Sequence, residues 1–147
     1  MQTAAALWNH VREHDLCPGA QSLDEWRQVS WIKVRIKGKA VPLFPVVGYR
    51  EALHLHDVHH LVTGYSTRFS GELDLAVWEV FSGGCQRHLF MWIDRLFVTL
   101  FGFVFQPRRS WRAATRGLRS RNAYGMRIDN VLALDVDELS RRLLPRP

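Results

Sequence analysis

The chain has 147 residues, 47% of them apolar and 23% charged, with a net charge of +6 and a pI near 10.0. That length gives one domain with one real core, and the composition excludes a disordered chain. The two cysteines, Cys17 and Cys85, have no metal-knuckle or redox spacing and make no disulfide framework.

The positive excess is almost all arginine in the C-terminal half, which calls for an anionic partner: lipid head groups, nucleic acid or an acidic substrate. No basic segment followed by a long apolar run opens the chain, so a secretory signal is not expected and the cytoplasm is.

Residues 1–15 predict a short helix with Leu7, Trp8 and Val11 on its apolar face, stopped by Pro18 and Gly19. Ser22 ahead of Asp24 and Glu25 marks another brief helix start, a polar cap followed by early acids. Trp31, Val34 and Ile36 then alternate with Lys33, Arg35 and Lys37. Residues 40–44 return after a turn at 37–39, which predicts a β-hairpin, and Pro42 and Pro45 argue for an edge position.

A helical pattern begins at residue 49, with Leu53, Val58 and Leu61 as apolar contacts and Gly64 as C-cap. Residues 65–71 read as a loop. Ser70 is the expected N-cap of the next helix, 72 to about 82, whose buried stripe is Leu73, Ala76, Val77 and Val80. Residues 86–105 are the most apolar segment. Their uninterrupted part, 96–105, is shorter than the roughly 20 residues a membrane span needs, and Asp94 and Arg95 interrupt the longer run. Two readings remain: a core helix buried on all sides, or a greasy wall that docks on a bilayer or lines a lipid pocket.

Pro107 starts another helix at its first turn. On it Arg108, Arg112, Arg116 and Arg119 form one stripe, joined by Arg109, Arg121 and Arg127, with no acid between 96 and 128. Such a stripe suits an anionic membrane surface. Nucleic acid is the rival partner, but no helix-turn-helix, zinc finger or RNA-binding aromatic motif accompanies it. Residues 131–134 read as a strand or extended arm, and 135–144 as a short amphipathic helix. The expected fold is therefore mainly α: a single-domain helical bundle over 1–147 with a small N-terminal β-hairpin.

Chemistry concentrates in residues 56–72. Four of the seven histidines lie between His54 and His60, and His56 and His60 sit four apart, only about 40° around a helix axis. Asp57 is beside them and Glu72 follows a Gly-containing loop. Two imidazoles and two carboxylates that converge need a cation between them, so the economical reading is a divalent metal held by His56, Asp57, His60 and Glu72. His59, about 100° around from His60, is a candidate proton donor, or else a histidine behind the ligands or on the surface; Glu79, two turns past Glu72, is expected at most to support the ligands from behind; His54 is expected outside the site. Tyr65 and Arg68, in the loop, orient an anionic substrate or simply decorate the loop.

The run His56-Asp57-Val58-His59-His60, eleven residues, then Glu72 resembles the signature of the coenzyme Q (ubiquinone) biosynthesis protein 4 family. The flanking HDVHHLVTGY, the later SGGC and the arginine-rich QPRRSWRAATRGLRSRNAYG are similar to its short bacterial members, and the likeness runs over roughly residues 41–124. The resemblance implies a helical, membrane-associated metalloprotein, peripheral on the inner membrane, acting on a polyprenylated aromatic precursor. His56, Asp57, His60 and Glu72 are then the ligands, usually of zinc, with iron required if the reaction uses oxygen. It also implies removal of the ring carboxylate at C1, or alternatively a scaffold role in a biosynthetic complex or homo-oligomer. A short bacterial-type member, without the long leader of mitochondrial members, is the expectation. The His-Asp pair also suggests an HD-type phosphohydrolase, but that class wants a further histidine upstream and an aspartate downstream, and Glu72 at its distance fits the other two readings better.

Overall fold

The computed structural model describes residues 1–14, 21–27, 31–36, 39–45 and 50–144. Eight helices run through them: α1 (Thr3–Glu13), α2 (Leu23–Arg27), α3 (Arg50–Thr63), α4 (Phe69–Phe81), α5 (Leu89–Phe105), α6 (Pro107–Leu118), α7 (Ile128–Leu132) and α8 (Val136–Leu143). The mainly helical class rests on these. Strands β1 (Trp31–Ile36) and β2 (Lys39–Pro45) pair antiparallel, with Val34 opposite Val41. The turn at 37–38, most side chains of this stretch and the stop at Pro18 and Gly19 lie outside the described residues.

Two packing groups share the helices. In one, α1, α3, α7 and α8 enclose Leu7, Val11, Leu55, Val58, Val131, Leu139 and Leu143. In the other, α4, α5 and α6 lie against one another. Glycines make that second approach possible. A Cβ on Gly117 would stand 2.9 Å from both the Trp78 carbonyl oxygen and Phe81 Cβ, and one on Gly102 would stand 2.9 Å from Ser110 Oγ. Helix α4 is consequently buried along Leu73–Glu79, with Trp78 fully enclosed. It forms one wall of the site, and α3 forms the other.

Local chemistry sets most of the boundaries. Ser22 Oγ accepts the Glu25 N–H at 3.1 Å while Glu25 Oε2 accepts the Gln21 N–H at 2.7 Å, a reciprocal cap at the start of α2. Gly64 closes α3 with φ +74°, the left-handed conformation a side chain resists. Pro107 opens α6 as its spacing predicts.

Two expectations fail. Ser70 is not the cap of α4: the helix starts a turn earlier, at Phe69, and the Glu72 N–H already bonds the Arg68 carbonyl at 2.9 Å. Residues 131–134 are not a strand. Val131 and Leu132 belong to α7, because Ile128 one turn earlier completes a helical apolar face that all three bury.

Helix α5 departs furthest from a core helix. It buries only Met91, Thr99 and Gly102. Leu89, Phe90, Ile93, Leu96, Phe97, Leu100, Phe101, Val104 and Phe105 are all at least half exposed and recur at helical spacing along one face. No described helix is long and apolar enough to cross a membrane.

Candidate metal centre

The i, i+4 spacing on α3 puts the His56 and His60 rings 4.8 Å apart, edge to face. Each ring is anchored from behind through Nδ1. His60 Nδ1 donates to the Tyr65 carbonyl at 2.9 Å and His56 Nδ1 donates to Glu79 Oε1 at 2.9 Å. Both Nε2 atoms are therefore presented forward, toward the Glu72 carboxylate from the first turn of α4. His60 Nε2 is 3.0 Å from Glu72 Oε1, and His56 Nε2 is 3.3 Å from Glu72 Oε2.

These donors fit a divalent cation. One ligand atom from each of His56, His60 and Glu72 lies within 4.8 Å of the other two. Bonds of about 2.0–2.1 Å in a tetrahedron set neighbouring ligand atoms about 3.3 Å apart, close to both nitrogen–oxygen separations. His60 Nε2 is buried, and the Glu72 carboxylate is the group it faces, the kind of donor a divalent cation would sit between. Two imidazoles and one carboxylate leave a coordination position free for substrate or water.

Asp57 is not in this group. One residue past His56, it projects about 100° around α3 from His56 and about 60° from His60. Burial first of all, opposed by His56 and His60, pushes its carboxyl up to about 6. Of the four expected ligands three converge, and Asp57 stands outside their group. His59 is also misplaced for proton donation to a substrate. It is fully buried, its Nδ1 donates to Glu79 Oε1 at 2.7 Å and its Nε2 accepts the Ala123 N–H at 2.9 Å, so neither nitrogen is free. Burial holds it below the usual imidazole value, and it acts as a neutral strut between α3, α4 and the 119–127 loop. His54 is buried on α3 outside the metal group.

Glu79 does more than its spacing suggested. Its Oε1 gathers hydrogens from His56, His59 and, at 2.8 Å, the Tyr124 hydroxyl, while Oε2 faces Arg95 NH1 at 3.5 Å. Burial alone would raise this carboxyl; His56, His59 and Arg95 together hold it well below the carboxylate range. Arg95 and Tyr124 went unseen in the sequence. They come from α5 and from the loop before α7, and no local spacing links them to α3.

A cleft of about 520 Å³ opens beside Glu72, walled by Phe69, Leu73, Val98, Phe101 and Phe105, with Arg95 as its one cation. The loop between α3 and α4 fixes the geometry of this region, and it passes tightly against Gly71 in the first turn of α4. A Cβ there would lie 2.0 Å from the Ser66 carbonyl oxygen and 2.8 Å from its carbon, and backbone atoms cannot rotate aside. Gly71→Ala should therefore displace the Tyr65–Ser66 backbone that holds His60 and weaken zinc binding about 10-fold or more, the range for lost support behind a ligand. Chelator competition measures this, and an affinity equal to wild type would show that the loop does not set the ligand geometry.

No family model matches the chain, and no curated protein matches it.

Proposed function

We propose that the chain is a short member of the coenzyme Q biosynthesis protein 4 family, a zinc protein that removes the C1 carboxylate of a lipophilic, prenylated aromatic acid at an anionic membrane surface. One observation carries this reading: Glu72, one of the three converging ligands, lines an apolar cleft whose wall also includes Arg95, its one cation. Phe69, Leu73, Val98, Phe101 and Phe105 offer a dry surface for an aromatic ring and a prenyl tail. Arg95, fixed by Asp94 and Glu79, offers a carboxylate a charged partner without reorganisation. Bound zinc would supply a Lewis acid at the free position. His56, His60 and Glu72 hold it, and Glu79 orients His56.

The exposed face of α5 supports the membrane part. Phe101 and Phe105 belong both to that face and to the cleft, so a substrate dissolved in lipid would enter sideways. Arg108 stands exposed on α6, the helix that follows, and Arg119 stands exposed at its C-cap. Exposed arginines beside a greasy helix face suit anionic head groups.

The test is release of labelled CO2 from a carboxyl-labelled prenylated hydroxybenzoate in phosphatidylglycerol vesicles. Release should require zinc and vanish in Glu72→Ala. A zinc-loaded wild type that releases none across several prenyl lengths would instead favour the scaffold role. Phe97→Glu with Leu100→Glu should detach the protein from those vesicles while leaving its zinc content intact. Undiminished vesicle binding would remove the membrane from the account.

A further inference from the structure

A second cleft, of about 220 Å³, lies where the loop after α3, α4 and α6 meet, walled by Tyr65, Asp74, Arg109, Arg112, Ala113 and Arg116. It is separate from the metal centre, because Glu72 and Asp74 are two residues apart on α4 and project about 160° apart. We propose that this cleft binds a phosphate group, either free or as the head group of an anionic lipid.

Its chemistry follows from how the charges are used. Steps of three and four along α6 bring Arg109, Arg112 and Arg116 to one face. The one acid in the wall, Asp74, is already committed. Its Oδ2 accepts Arg109 Nε at 3.1 Å and a second bond from the same guanidinium, and its Oδ1 accepts Gln106 Nε2 at 2.7 Å.

Arg116 is held in place without being neutralised. Its NH1 donates to the Thr63 carbonyl at 3.0 Å and its guanidinium lies over the Tyr65 ring, 5.1 Å from the centroid. Among the described residues no carboxylate pairs with Arg112 or Arg116. Three guanidiniums against one carboxylate leave a surplus of two positive charges in a partly enclosed space. A tetrahedral phosphate dianion matches that surplus and can take forked N–H pairs from two planes at once, which a planar carboxylate cannot. Two of the three arginines are already fixed, so little ordering remains to oppose binding.

The test is calorimetric titration of the zinc-loaded protein with inorganic phosphate, against chloride at equal ionic strength. A parallel arm measures binding to phosphatidylcholine vesicles with and without phosphatidic acid. Of the three arginines of the cleft, Arg112 is the one whose guanidinium bonds no described residue, so Arg112→Gln disturbs no contact of the fold, and Arg119→Gln makes the same change of charge at the C-cap of α6, outside the cleft. Arg112→Gln should weaken phosphate binding about 10-fold or more, as expected for charge-assisted hydrogen bonds, and Arg119→Gln should leave it unchanged.

If inorganic phosphate binds and competes with phosphatidic acid, the cleft takes the free ion. If only phosphatidic acid vesicles bind, and Arg112→Gln alone releases them, it takes the head group. Absence of both interactions, or equal loss in the two variants, overturns the proposal. The zinc content of either variant is expected to equal wild type, so this result and the metal reading fail independently.

Discussion

His60→Ala should strip the purified protein of the divalent metal proposed for this site, and Glu72→Ala should do the same. The site has three protein donors, and the loss of any one leaves two, too few to hold the ion against a chelator. The affinity should fall by more than the about 10–100-fold typical of lost support behind a ligand. Glu72→Ala is the cleaner variant: its side chain is 33% exposed, whereas those of His56 and His60 are buried, so the fold loses little with it. Elemental analysis with chelator competition reads the result. Stoichiometric metal in both variants would mean that the ligands have been misidentified.

Glu79→Ala should be the most damaging single change to stability. It removes the fully buried carboxylate that faces both Arg95 and His56, leaves them only the more exposed Asp94 and Glu72, and leaves Tyr124 and His59 without their acceptor. Breaking a buried charge pair from one side costs about 3–5 kcal/mol, enough to leave many domains unfolded. Glu79→Gln keeps the shape and one acceptor oxygen, so it should fold and show the second consequence, a zinc affinity lower by about 10–100-fold.

It should also change the alkaline stability of the metal-free protein. Burial alone would lower His56, but the Glu79 charge, with help from Glu72 and against Arg95, raises it from 6.5 to about 10. A raised folded value means that this stabilisation is complete below pH 6.5 and is lost as the pH climbs through about 10. The Glu79 contribution runs the other way: it is present above 4.5 and lost only as the pH falls through its depressed folded value. Thermal melts of chelated wild type should therefore decline from pH 6.5 toward 10, and Glu79→Gln should flatten that limb. Identical limbs in the two proteins would disconnect Glu79 from His56.

What the sequence made legible was local. The His56–His60 pair follows from helical spacing, and the return of Glu72 from a loop whose start is marked by Gly64. Pro107 announced α6, and the alternation of Leu139 and Leu143 with charged residues announced α8. The illegible parts depend on tertiary placement. Arg95 reaches His56 across 39 positions and Tyr124 reaches Glu79 across 45, distances over which no periodicity speaks. Asp57 stood in the motif yet falls outside the converging group, since spacing along the chain gives its angle on the helix but not the reach of its carboxylate. The basic stripe read as a single face, but the fold divides it: Arg109 and Arg116 are tied to Asp74 and Thr63, while Arg108, Arg112 and Arg119 stay exposed. The apolar run of α5 could not say which way it faced, since a buried wall and an exposed one have the same composition.

Phe101 and Phe105 line the cleft and also form part of the outward face of α5, so under the function proposed above protein and substrate would meet in two dimensions. Turnover would then follow the mole fraction of substrate within the bilayer rather than its amount per unit volume. Diluting the vesicles with inert phospholipid would slow the reaction, whereas adding buffer would not.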